Sequence, residues 1–162
     1  MTTTAIESAQ RRQIEWDCTQ VIYRFYGCLD DHLYDELASL FTPTGAWVRL
    51  GKELVGPEGI LEGIGERSDW LTVHLITNVR ITVEDLDHAS SSQYVTLYRH
   101  EGWNREVQGP APVVLPLGIL RHRDRLVREE DEWRFQRKES SAVMVDRGRV
   151  THYEEKRDAA SR

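Results

Sequence analysis

The sequence predicts an α+β fold: a strongly curved, mostly antiparallel sheet packed on three helices from the N-terminal half, a sheet that can close into a cone. Two observations carry this. Apolar residues recur at helical spacing in the first part of the chain, and from Leu71 onward the texture changes to long β-rich runs separated by short polar or proline-rich breaks. Neither an internal repeat nor a second compositional regime appears, so residues 1–145 read as one domain and the charged, aperiodic stretch 146–162 as a tail or inter-subunit arm.

Ile14, Cys18, Val21, Ile22, Phe25 and Leu29 form one apolar stripe and predict a helix over about residues 6–29. Asp31 is positioned to cap a second, shorter helix through Leu37, Leu40 and Phe41, which Pro43 and Gly45 then stop. GAWVRL reads as a strand, LGKE as a turn and ELVG as the hairpin partner. Gly56-Pro57 opens a third helix with an apolar face at Ile60, Leu61 and Ile64. Four strands follow, in LTVHLITNVRITVE, SSQYVTLYRHEGW, LGILRHRDRLVRE and EWRFQRKESSAVMV. They are broken by DLDHA, VQGPAPVVLP and EEDE, the punctuation of an antiparallel meander.

The 162 residues carry 21 basic and 27 acidic side chains, a net charge of −6, and 40% are hydrophobic. This composition supports a packed core, excludes a disordered chain and argues against nucleic acid as the main partner. No apolar run approaches the roughly 20 residues of a membrane span, and the N-terminus lacks a secretory signal pattern, so a soluble, cytoplasmic protein is expected. Cys18 and Cys28 lie ten residues apart in the first helix. That is about 15 Å along its axis, beyond the roughly 7 Å a disulfide allows.

There is no phosphate-binding glycine loop, no nucleophile elbow and no CxxC or HExxH, and the six histidines lack metal-ligand spacing. Neither a metal nor a cofactor is expected, which leaves acid–base chemistry by Asp, His, Tyr and Arg. Asp30 stands where the first helix ends, against the negative pole of its dipole. It serves either the turn or a site, and Tyr26 lies one turn earlier on the same face. In strict alternation His74, Ile76, Asn78 and Arg80 share one strand face, opposite Val73, Leu75, Thr77, Val79 and Ile81. The His74 face is thus either wet surface or the lining of a polar pocket. Tyr94, Thr96, Tyr98 and His100 line one face of the next strand, and Arg137 with Lys138 follows Trp133.

Three stretches together, YGCLDDHLYDELASLFTPTGAWVRLGKELVGPEGI, HLITNVRI and DEWRFQRKES, resemble the SnoaL-like branch of the nuclear transport factor 2-like superfamily. That branch includes scytalone dehydratase, bile-acid 7α-dehydratase and lindane dehydrochlorinase. The resemblance covers about residues 10–145 and implies a cone with a pocket between helices and sheet. In the dehydratase and dehydrochlorinase members an aspartate at the end of the first helix pairs with a histidine on a later strand. The motif positions match Asp30 and His74, which the resemblance therefore implies as a catalytic dyad. Tyr26, Trp47, Tyr98, His100 and Arg137 are the expected substrate-binding residues.

Two function classes follow. One is a cofactor-independent dehydratase, dehydrohalogenase or isomerase that abstracts a proton from a hydrophobic cyclic small molecule. The other is a non-catalytic binding or structural subunit, such as the small subunit of a ring-hydroxylating dioxygenase, or a polyketide cyclase on the same fold. A homo-oligomer, trimer before dimer, is expected, with APVVLPLGIL as a subunit contact.

Overall fold

The computed structural model describes residues 6–49, 51–65 and 70–149. The chain runs α1 (Ser8–Asp30), α2 (Tyr34–Ser39), β1 (Phe41–Arg49), β2 (Lys52–Val55), α3 (Gly56–Ile64), β3 (Trp70–Val83), β4 (His88–Glu101), α4 (Arg105–Gln108), β5 (Gly118–Glu129) and β6 (Glu132–Val145). The six strands form one curved, open sheet in the order β2-β1-β6-β5-β4-β3. β3 to β6 make the expected antiparallel meander, and β1 joins β6 in parallel, so the sheet is mixed. Most of the arm expected after Asp146 lies outside the described residues. Its first turn packs back, with the Arg149 guanidinium donating to the carbonyls of Leu115 and Arg99.

α1 buries Ile14, Cys18, Ile22, Phe25, Tyr26, Cys28 and Leu29 on one stripe against the concave face of the sheet. Phe25 is the hub of an aromatic core, edge-on to Phe41, Trp47 and Phe135 with centroids 5.2–6.0 Å apart. The two cysteines are free and buried, as their spacing requires.

The second helix differs from expectation. Asp31 ends α1, its N–H bonded to the Gly27 carbonyl, and Leu33 rather than Asp31 precedes α2. His32, with φ at 60°, makes the corner. Pro43 and Gly45 do not precede the strand but lie inside it. They occupy the stretch between Phe41 and Ala46 where the β1–β6 register shifts, the place in a sheet that tolerates proline. A Cβ on Gly45 would stand 2.5 Å from the Phe135 carbonyl oxygen, so only glycine lets the strands approach there.

Two bulges decide what the concave face presents. In β3, Thr77 pairs with Tyr94 but Arg80 with Ser92, so Asn78 and Val79 together oppose Gln93. Asn78 takes the left-handed conformation, φ 53°, that asparagine tolerates. The extra residue reverses the alternation: Thr72, His74 and Ile76 face inward on one side of the bulge, and Val79, Ile81 and Val83 on the other. Strict alternation along the whole strand, which groups Val79 and Ile81 with Val73 and Leu75, is therefore incorrect beyond Thr77. In β6, Leu126 pairs with Phe135 and Arg125 with Arg137, which makes Gln136 the extra residue. Trp133 and Phe135 point inward, and after the bulge Lys138 does so in place of Arg137.

Candidate active site

The carboxylate of Asp30 at the end of α1 meets three donors from β3. His74 Nδ1 lies 2.5 Å from Oδ1, the Thr72 hydroxyl donates to Oδ1 at 2.8 Å, and the His74 backbone N–H donates to Oδ2 at 2.8 Å. The α1–β3 packing brings the two ends together, and the three bonds offset the unfavourable position of an acid at a helix C-terminus. A carboxylate only accepts, so the proton between the pair sits on Nδ1 when the imidazole is neutral, and the lone pair is left on Nε2. Among the described residues nothing hydrogen-bonds Nε2. The two side chains are largely but not wholly buried, 7% exposed for His74 and 21% for Asp30.

Tyr26, one turn before Asp30, lays its ring 5.3 Å from that of His74 and 5.7 Å, edge-on, from that of His122. Its hydroxyl and His122 Nδ1 are both buried without a well-formed hydrogen bond among the described residues. Burial raises the phenol well above its ordinary value of 10.0, with the Asp124 charge adding to it. Burial likewise holds the His122 imidazole well below 6.5, reinforced by the positive charge of Lys138 and by His74. His122 is a neutral imidazole under ordinary conditions.

Behind these rings lies a sealed ion pair. Lys138 Nζ stands 3.2 Å from both carboxylate oxygens of Asp124, and both side chains are wholly buried. The Asp124 Oδ2 atom also accepts from Gln93 Nε2 at 2.6 Å and from the Ser91 hydroxyl at 3.0 Å. The ammonium is caged by Phe25, Tyr26 and Phe135, 4.4–4.8 Å from their centroids. Burial lowers the Lys138 pKa, and Asp124 opposes that shift. Trp47 is the β1 register partner of Lys138 and is buried against Phe25.

The expected site residues thus separate into two groups. Asp30, His74 and Tyr26 meet, and Trp47 lies on the same concave face beside Lys138. Tyr98, His100 and Arg137 are not brought to them. Tyr98 pairs with Val73 on the convex face, and His100 Nε2 is tied to the Pro112 carbonyl at 2.9 Å. Arg137 bridges Glu53 and Glu139, exposed, because the Gln136 bulge turns it outward. The residues sequence reasoning passed over are His122, Asp124, Gln93 and Lys138. One signal was available: in RHRDRL on β5, strict alternation puts His122, Asp124 and Leu126 on one face, where the apolar Leu126 marks it as inward.

These features define a class first: an open, curved α+β sheet wrapped on a long helix, with a hydrogen-bonded aspartate–histidine pair between them. A family model for the SnoaL-like domain matches residues 10–139, and the chain belongs to that family, within the nuclear transport factor 2-like superfamily. No curated protein matches the sequence significantly. Among solved structures, hexachlorocyclohexane dehydrochlorinase LinA-type3 from Novosphingobium barchaimii is similar over 85% of this chain and 91% of its own, at TM-score 0.70 and 17% identity. A candidate scytalone dehydratase from Novosphingobium aromaticivorans aligns over 85% and 89%, at 0.68 and 21%. A protein of cystatin-like fold from Nostoc punctiforme aligns over 88% and 95%, at 0.65 and 18%. At these identities the likeness is one of fold. Among the described residues no group of His, Cys, Asp and Glu is arranged to hold a metal, and no helix is long and apolar enough to cross a membrane.

Proposed function

We propose that the protein is a cofactor-independent acid–base enzyme, a lyase or isomerase, in which Asp30 and His74 abstract a proton from a hydrophobic cyclic small molecule. The observation that carries this reading is the three-donor grip on Asp30, which orients His74 and leaves its Nε2 unpartnered among the described residues. An aspartate in this position fixes the tautomer and stabilises the imidazolium that forms when Nε2 takes a proton from carbon. The electron pair released then expels a leaving group from the adjacent carbon, or moves onto a conjugated carbonyl oxygen. In this reading the Tyr26 ring packs beside the His74 imidazole, and the caged Lys138 cation adds a fixed positive field in a low-dielectric setting that favours the negative charge developing on that oxygen or leaving group. Phe25, Trp47 and Phe135 make the interior behind Tyr26 apolar, which lowers the local dielectric. A neighbour named as a dehydrochlorinase of hexachlorocyclohexane, and another named for scytalone dehydration, support this reaction class.

The test is incubation of cyclic ketones, alcohols and halides with the protein in D2O, followed by mass spectrometry. Deuterium uptake next to a carbonyl, or loss of water or halide, is expected for at least one class and is expected to vanish in His74→Gln. Equal turnover by the variant would reject the dyad.

The assembly belongs to the same proposal. Val73 and Leu75 on β3 and Met144 on β6 are exposed on the convex face, and Val113 and Leu115 stand 97% and 78% exposed in the α4–β5 connection. A homo-oligomer, trimer before dimer, would cover them.

A further inference from the structure

The bulge that turns Val79 and Ile81 inward also shapes the opposite side of the sheet. Asn78, Val79 and Arg80 of β3, Ser92, Gln93 and Tyr94 of β4 and Arg121 of β5 line an open cavity of about 490 Å³ at the bulge, in which Arg80, Ser92, Tyr94 and Arg121 belong to the convex face and Val79 and Gln93 reach it from the strands' inward side. Its centre is Ser92, whose register partners are Arg80 on one side and Arg123 on the other. Those two Cα atoms lie two strand spacings apart, about 9.6 Å, which suits a pair of guanidinium groups closing on one anion. Arg121, diagonal to Ser92, is already held in position. Its Nε reaches the Ser92 hydroxyl at 3.4 Å and its guanidinium lies 5.6 Å from the centre of the Tyr94 ring.

The charges here are unbalanced. In a chain with 27 acidic side chains against 21 basic ones, Arg80 and Arg123 have no carboxylate partner among the described residues. The nearest acid by register, Glu139 opposite Arg123, is engaged by Arg137. Arg80 and Arg121 line the cavity and Arg123 is the register partner of Ser92 beside it, so three arginines gather around one hydroxyl, more charge than one carboxylate needs and a match to the several oxygens of a dianion.

We propose that this convex-face cavity is a phosphate-binding site, with Arg80, Arg121 and Arg123 as the charge partners, Ser92 as the hydroxyl donor and a phosphate monoester as the ligand class. It lies across the sheet from the Asp30–His74 pair and does not depend on the proposed reaction.

The experiment titrates inorganic phosphate, phenyl phosphate and acetate into the full-length protein at constant ionic strength set with chloride, and follows backbone amide shifts by NMR. Saturable shifts at Asn78–Arg80, Ser92–Tyr94 and Arg121 are expected with both phosphates. Arg80→Ala and Arg121→Ala are each expected to weaken phosphate about tenfold, the loss of one charge-assisted contact. Arg121→Lys, which keeps the charge and loses the fork, falls between. Ser92→Ala gives a smaller loss, and Arg11→Ala, on α1, none. Three results would overturn the site: no saturable shift beyond the chloride background, affinity unchanged in the double Arg80→Ala, Arg121→Ala variant, or acetate binding as tightly as phosphate. Unperturbed spectra away from the cavity verify that each variant is folded.

Discussion

Two carboxylates face the inside of the curved sheet and are held in opposite ways. Asp30 is partly exposed and paired with an imidazole, a partner that can gain and lose a proton. Asp124 is sealed and paired with an ammonium, with Gln93 and Ser91 occupying its remaining lone pairs. The first arrangement suits proton transfer. The second is a fixed pair of charges, too costly to break and too buried to exchange with solvent. Its effect on the first is electrostatic, through Tyr26, which touches both the Lys138 ammonium and the His74 ring.

The comparison breaks most visibly at Lys138. Replacing it with Met leaves an uncompensated buried carboxylate and should cost about 3–5 kcal/mol of stability by urea denaturation, while Lys138→Met with Asp124→Leu should recover most of that loss. Failure of the double variant to recover would show that the pair does more than neutralise itself. Asp30→Asn, at the open pair, should cost only about 1 kcal/mol, because the amide keeps one acceptor for Thr72 or the His74 N–H. His74→Gln should leave the fold similarly intact and lower turnover by roughly 10²- to 10⁴-fold.

A smaller effect separates the pairs by pH. The unfolded chain protonates His122 at about its ordinary value of 6.5, whereas the native imidazole resists protonation to a well lower pH. Stability from this residue is therefore complete above about 6.5 and is lost as pH falls through the window below it, by up to about 1.4 kcal/mol per pH unit. His122→Asn should flatten that acid limb in urea titrations at several pH values. An unchanged limb would assign it to other groups. Smallest for the folded chain itself is the exposed strip: charges at Val113, Val114 and Leu115 should shift stability by less than about 0.5 kcal/mol yet reduce the assembly mass in light scattering. A monomer of about 19 kDa before the change would remove the oligomer from the account.

Much of this was legible in the sequence. The stripe from Ile14 to Leu29 and the four β-rich runs specify α1 and the meander, because each is long and strongly periodic. The sequence alone left Asp30 to the turn or a site and His74 to surface or pocket; their pairing came only from the family resemblance carried by LDDHLYDELA and HLITN. Beyond His122 and Asp124, which plain alternation in RHRDRL could have shown, part of what stayed hidden traces to single inserted residues. Asn78 and Gln136 each reverse the alternation of a strand, so Val79 and Ile81 turn inward against the simple pattern and Lys138 takes the place given to Arg137. Bulges are set by pairing with the neighbouring strand, which a period-two reading of one strand does not contain. β6 shows the consequence: Lys138, which plain alternation from Trp133 and Phe135 turns outward, is the most deeply buried cation among the described residues.

The central claim, that Asp30 holds His74 with Nε2 free to take a proton, is tested most directly by two-bond ¹H–¹⁵N correlation spectra of the imidazoles. The account predicts that neutral His74 carries its proton on Nδ1, with Nε2 unprotonated, and that Asp30→Asn redistributes the proton between the two nitrogens. A His74 proton residing on Nε2, or a tautomer untouched by Asp30→Asn, would contradict it.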